Sequence, residues 1–193
     1  FVVNSSIRTT RLNAYVSGIG PSKRIVIWDT MLKSFSDDEI MAVMGHELGH
    51  AVEGHLWWRL YSGIVGAGII LWLLANGLPV VFRVTSAKWN TSGISDIRGL
   101  PVVMLILFVV LIIQQPIESA MTRYTEHRAD LFGLRLTGKR LSTASAFIKF
   151  ADHDYADTDP PRWAVLWFYS HPPIRERIET VKEFRAITCC KAD

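Results

Sequence analysis

The chain opens with short apolar runs, and its middle is dominated by long ones. Phe1–Val3, Asn13–Ser17 and Arg24–Trp28 read as strands, the last two joined by the turn-forming run Gly18-Ile19-Gly20-Pro21-Ser22-Lys23. They predict a small antiparallel sheet. Ser36-Asp37-Asp38-Glu39 has the form of a capping box, and Ile40, Val43, Met44, Leu48 and Val52 follow at helical spacing. This predicts a helix over 36–59 that runs on into the apolar stretch behind it. Further helices are predicted over 117–137, over 142–153, and from 173 to about 185. A polar, proline-containing loop occupies 154–161, and an aromatic segment follows at 163–169. No internal repeat or low-complexity tract is present. The expected class is α+β, mainly α.

Two stretches stand apart. Leu60–Phe82 is 23 residues without a charge, and Gly99–Ile117 is 19 more. A hydrocarbon layer of about 30 Å takes about 20 helical residues, so each stretch could cross one. Gly63, Gly66 and Gly68 would permit close helix contact there, and Trp57 and Trp58 suit an interfacial aromatic belt. Asn76, Pro79, Gln114 and Gln115 favour the competing reading, two buried core helices of a soluble protein. The expectation adopted is a transmembrane hairpin, 60–117, with spans about 60–82 and 99–117, inserted into one domain made of 1–59 and 118–193. The lipid bilayer is then a partner.

Charge changes this picture little. The net charge is +3 and the pI about 9.0, but the basic residues are scattered. That gives no nucleic-acid groove and suggests mild attraction to anionic lipid heads. Arg83, Lys88 and Arg98 between the spans balance Arg59, Arg123 and Arg128 outside them, so charge does not set the orientation. Cys189 and Cys190 are adjacent, which suits free thiols better than a structural clamp. The chain begins at Phe1 without a signal-peptide pattern and reads as part of a longer protein.

The chemistry lies in His46-Glu47-Leu48-Gly49-His50. With 6 His among 193 residues, roughly 0.008 such matches are expected by composition alone. On a helix His46 and His50 share a face one turn apart, and two imidazoles so placed can grip one Zn²⁺, with Glu47 beside the attacking water. Gly45 and Gly49 each cost about 1 kcal/mol relative to Ala in a helix. They make sense where another element or a substrate approaches the backbone. A catalytic zinc needs a third protein ligand and one open position. Glu126, in Glu126-His127-Arg128-Ala129-Asp130, is the best candidate, with Glu53 and Glu118 as weaker competitors. A metzincin would need Gly and His where Glu53 and Leu56 stand, and His55 misses by one residue. Asp130, four residues after Glu126, would accept the outer ring N–H of a zinc histidine. The alternative is a surface ion pair with Arg128 or Arg135. His127 points about 100° away from Glu126 on a helix and reads as a surface or supporting residue. Two spans between His50 and Glu126 return the chain to one side of the membrane, as convergence on one ion demands. The predicted activity is peptide-bond hydrolysis with Glu47 as general base.

Asn13-Ala14-Tyr15, Lys23 to Thr30, His46 to His50, Pro116-Ile117-Glu118-Ser119-Ala120, Glu126 to Asp130, and Ser170-His171-Pro172-Pro173 with Glu176-Arg177 carry a resemblance over nearly the whole chain. It resembles the integral-membrane zinc metallopeptidases that include the CAAX prenyl protease type 1 and the HtpX-type heat-shock proteases. The resemblance implies a zincin-like (gluzincin) core with Glu126 as third ligand and one Zn²⁺ per chain. It implies that His171 lies at the catalytic centre, beside the substrate carbonyl, with Arg177 supporting that region. Asn13, Ala14 and Tyr15 are expected to bind substrate backbone by strand addition, or else to form a plain edge strand. The implied substrate is a membrane-associated or hydrophobic polypeptide. The implied site faces the cytoplasm, in a bacterial inner membrane or alternatively the endoplasmic reticulum. The segment between the spans and Glu126 is shorter than in eukaryotic prenyl proteases, which counts against prenylated C-termini as substrates and leaves room for a bacterial relative that cleaves damaged or misfolded membrane proteins; processing of prenylated C-termini is kept as the alternative. A non-catalytic zinc-bearing membrane scaffold is the competing class.

Overall fold

The computed structural model describes residues 1–92 and 95–184. Cys189, Cys190 and the expected end of the last helix near Arg185 lie outside the described residues. The chain divides into two compact units, one made of 1–55 with 119–193 and one of 56–118.

The first unit opens with three strands, β1 (Val2–Val3), β2 (Ala14–Ser17) and β3 (Arg24–Trp28), in the order β1-β3-β2. β2 and β3 pair antiparallel, Ala14 opposite Ile27 and Ser17 opposite Arg24. β1 pairs parallel with β3, Val2 opposite Ile27, so the sheet is mixed and not wholly antiparallel as expected. The reason is covalent. The segment between β1 and β2 is long enough to carry the chain back to the same end of β3, and the Ser5 and Ser6 amides anchor it on the Asp29 carboxylate at 2.8 and 2.9 Å.

Helices follow: α1 (Asp29–Ser34), α2 (Asp37–Val52), the first residue of α3 (His55–Trp89), the second half of α4 (Leu100–Thr137), α5 (Arg140–Asp154), α6 (Arg162–Phe168) and α7 (Ile174–Glu183). The capping box forms at α2: Ser36 Oγ accepts from the Glu39 amide, and the Glu39 carboxylate accepts from the Ser36 amide at 2.7 Å. That carboxylate is buried and also takes Ser145 Oγ at 2.6 Å and Lys149 Nζ at 2.7 Å from α5. Burial alone would raise its pKa, but these donors outweigh it and hold Glu39 down at about 2. Ala14, Met31, Phe35 and Ala146 form one core cluster between sheet and helices. Leu134, Phe147 and Val181 join α4, α5 and α7 in another.

The expected single helix over 36–59 is broken. α2 stops at Val52, and Gly54 (φ +71°) turns the chain before α3 begins at His55. A left-handed backbone of that kind favours glycine, which has no Cβ to clash. By contrast the second apolar stretch and the expected helix over 117–137 are one continuous helix, α4, with Pro116 inside it.

The second unit consists of the rest of α3, the connection through Asp96, and the first half of α4. Asp96 accepts the Ser92 and Arg98 amides and both Nε and Nη2 of Arg98, closing the turn. Two helices, His55–Lys88 and Ile97–Thr137, are long and apolar enough to cross a membrane, with mean hydropathies of 2.1 and 2.5, and almost nothing in their most apolar windows is buried. Ile64, Ile69, Leu71 and Trp72 on one helix, and Met104, Phe108 and Ile113 on the other, stand exposed. Core helices of a soluble protein would be covered. Gly66 makes room for Gln114, whose amide a Cβ there would meet at 3.0 Å, and Gln114 donates to Glu118 at 2.9 Å.

Candidate metal centre

α2 and α4 cross at near backbone contact. A Cβ on Gly45 would lie 3.2 Å from Gly133 Cα, one on Gly49 3.1 Å from Ala129 Cα, and one on Gly133 2.9 Å from the His46 nitrogen. The glycines of the histidine motif are therefore there for the α4 backbone. The crossing sets His46 and His50 opposite Glu126.

His46 Nε2 and His50 Nε2 are 3.0 Å apart, and they lie 3.4 and 3.5 Å from the two Glu126 oxygens. The three side chains form a group able to hold one metal ion. Ligand atoms about 2.0–2.1 Å from a tetrahedral zinc stand about 3.3 Å from one another, so the spacing fits. Glu126 Oε2 is buried and makes no hydrogen bond, an orphan that an ion would satisfy. Burial alone would raise the Glu126 carboxyl, but the imidazoles keep it well below its usual range.

Asp130 stands behind His46, with Oδ1 2.8 Å from Nδ1. Arg177 from α7 grips the same carboxylate bidentately at 2.8 and 2.6 Å, and its guanidinium carbon lies 3.9 Å from the Phe147 ring centre. Burial opposes ionisation of Asp130, yet Arg177 and His46 hold its pKa at about 2. Burial likewise opposes a charge on His46, but Asp130 and Glu126 raise it to about 9. A field that favours a proton there favours a cation. Asp130 does not pair with Arg128 or Arg135, the surface alternative.

His171 precedes α7. Its Nε2 lies 3.3 Å from Glu126 Oε2, and Ser170 Oγ meets its Nδ1 at 2.9 Å. Glu47 is half-buried. Burial raises its carboxyl above the usual value, although His46 and His50 pull the other way. A cavity of about 330 Å³ opens beside these groups, lined by Asn13, His46, Glu47, Asp130, His171 and Arg177 on its polar side, with Ala14 beside Asn13. Val43, Leu134, Phe147, Phe150 and Ile174 form its apolar side. Tyr15 is exposed on β2, which is an edge strand of the sheet. Trp163 and Phe168, in the aromatic segment 163–169, are exposed and line none of this cavity.

The rival ligands are elsewhere. Glu53 takes Arg128 Nε and Nη2 at 3.0 and 3.1 Å, and Glu118 accepts from Gln114. His55, expected from sequence to sit away on the same helix, is buried with Nδ1 2.9 Å from His50 Nδ1. Sequence reasoning missed it because helical spacing was carried through the turn at Gly54; the glycine was the available signal.

The model of the Peptidase family M48 matches residues 1–185. The chain is 38% identical over 185 residues to the uncharacterized metalloprotease YhfN of Bacillus subtilis, covering 93% of this chain and 42% of that protein. It is 31% identical over 192 residues to a CAAX prenyl protease 1 homolog of Oryza sativa, covering 95% and 43%. Among solved structures, S. mikatae Ste24p matches with a TM-score of 0.73 and 26% identity over 94% of this chain and 44% of that one. The chain thus spans less than half the length of the relatives it matches.

Proposed function

The chain belongs to peptidase family M48, and from that premise we propose that it is the catalytic part of a membrane-embedded zinc endopeptidase with a gluzincin-type core. The observation that carries this reading is the convergence of His46, His50 and the buried Glu126 carboxylate, with its Oε2 unsatisfied, at tetrahedral spacing.

His46, His50 and Glu126 would hold one Zn²⁺, which when bound polarises a scissile carbonyl and acidifies a water. Glu47 takes the water proton on its carboxylate and delivers it to the leaving amine. Its raised pKa suits both halves of that task. Asp130, clamped by Arg177, accepts the His46 Nδ1 proton and keeps Nε2 turned inward. His171 Nε2, on the rim beside Glu126, donates to the oxyanion that forms on the substrate. Asn13 and the outer edge of β2 at Ala14 and Tyr15 pair with an extended substrate, and the apolar side of the cavity receives a side chain next to the cut bond.

The hairpin is read as two membrane spans, about 60–82 and 99–117, on the ground of its uncovered apolar faces. Substrates are then membrane-associated or hydrophobic polypeptides, and the site faces the cytoplasm. The name of the Oryza sativa relative favours processing of prenylated C-termini over general membrane-protein turnover.

The test uses the full-length protein in detergent with two substrates, a prenylated C-terminal peptide and an unfolded membrane protein. Glu47→Gln is expected to keep one zinc per chain and to lower hydrolysis by at least about a thousandfold, the scale of losing a general base together with its aligned water. Full activity in that variant removes Glu47 as the base. A zinc-loaded wild type that cleaves neither substrate favours the scaffold reading.

A further inference from the structure

The two imidazoles of the metal centre are backed differently. His46 Nδ1 meets a carboxylate directly, Asp130 at 2.8 Å. His50 Nδ1 meets a third imidazole, His55 Nδ1, at 2.9 Å. His55 is only 6% exposed, and its Nε2 lies 3.3 Å from Glu53 Oε2. Glu53 in turn holds both Nε and Nη2 of Arg128, whose hydrogen bonds keep its carboxyl below the usual range.

We propose that His55 is a positioning residue that relays the Glu53 carboxylate to His50 and so sets the tautomer and ring orientation of His50 at the metal centre. The inference rests on the reading of His46, His50 and Glu126 as metal ligands. Counting protons carries it. A neutral imidazole has one N–H and one acceptor nitrogen. When His50 turns the lone pair of Nε2 toward an ion, its proton sits on Nδ1. Among the described residues the ring atom facing that proton is His55 Nδ1, which must then be the acceptor. The His55 proton is therefore on Nε2, the atom beside Glu53. Each proton fixes the next, and Arg128 ends the chain by keeping Glu53 ionised.

The local fold builds this relay. A histidine five residues after His50 would face away on an unbroken helix. The Gly54 turn brings it back. Arg128 comes from α4, two residues beyond Glu126, so the backing of His50 is tied to the helix that carries the third ligand. Each zinc histidine then has its own ion-paired carboxylate behind it, Asp130 with Arg177 for His46 and Glu53 with Arg128, through His55, for His50.

A space-filling role for His55 makes a different prediction. The zinc dissociation constant is measured by chelator competition on the full-length protein in detergent, for wild type, His55→Phe, His55→Asn and Glu53→Gln. Phe fills the volume without an acceptor, whereas the Asn carbonyl can replace Nδ1. His55→Phe is expected to bind zinc about 10–100-fold more weakly, Glu53→Gln to weaken it less, and His55→Asn to recover most of the loss. Thermal unfolding of the metal-free proteins checks that all four fold alike. Affinity in His55→Phe within about twofold of wild type, or His55→Asn as weak as His55→Phe, overturns the relay and leaves the metal centre standing. A wild type that takes up no zinc overturns the metal centre and the relay together.

Discussion

Leu71 in the hairpin and Leu141 at the start of α5 are both exposed, 67% and 88%, yet they belong to opposite environments. Around Leu71 the exposed neighbours are Ile64, Val65, Ile69, Trp72 and Leu73, a continuous apolar surface. Around Leu141 stand Arg140, Ser142 and Ser145. An isolated exposed leucine is ordinary in water, but an apolar surface that encircles a helix is not. The unit that carries the candidate metal centre also does what the hairpin does not: it buries charge. Glu39, Glu126 and Asp130 are each at most 5% exposed and each faces cationic or imidazole partners. One unit spends its chain on a polar centre inside an apolar shell, and the other on an apolar surface turned outward.

The sharpest way to break this contrast is a matched pair of charges. Leu71→Asp is expected to cost about 2.5–3.5 kcal/mol in membrane insertion, read as the fraction of hairpin protected from protease. Leu141→Asp is expected to change folding stability by no more than about 0.5 kcal/mol in thermal unfolding. Equal tolerance at both positions would mean that the hairpin is not lipid-exposed.

Glycine gives a second pair. Gly133→Ala puts a methyl 2.9 Å from the His46 backbone and should cost about 1–3 kcal/mol, with weaker zinc binding as α2 is pushed off α4. Gly68→Ala meets nothing within 4 Å and should be neutral or slightly stabilising. Unfolding curves and zinc content of both variants test whether the close crossing matters only in the unit that carries the candidate metal centre.

The smallest effect concerns pH. Glu39 has a folded pKa of about 2 against an ordinary 4.5, so its contribution is complete above 4.5 and is lost as pH falls through about 2. Glu39→Gln should cost about 1–2 kcal/mol at neutral pH, and the gap to wild type should close between pH 4.5 and 2. A gap that stays constant across that range would show that the ionised carboxylate is not what Ser145 and Lys149 hold.

What the sequence conveyed best was local. The capping box at Ser36 and Glu39, the i,i+4 pair His46 and His50, and the two uncharged stretches depend on spacing within a turn or a span, and all reappear in the structure. The parallel pairing of β1 was hidden because a two-residue strand carries no periodicity, and its direction depends on the path through Asp29. The membership in family M48 was likewise readable, because the motifs that carry it are short and contiguous.

Sequence alone determined which residue types could bind an ion and suggested Glu126 over Glu53 and Glu118. Only the tertiary structure decided that Gly45, Gly49 and Gly133 let two backbones touch, that Glu126 arrives with an oxygen left unsatisfied, and that His55 folds back onto His50. The reason is that periodicity is a property of one element, whereas a metal centre is a property of a crossing. Where two helices meet is set by side chains that are absent and by one glycine turn; the glycines are visible along the chain, but which element each one admits is not.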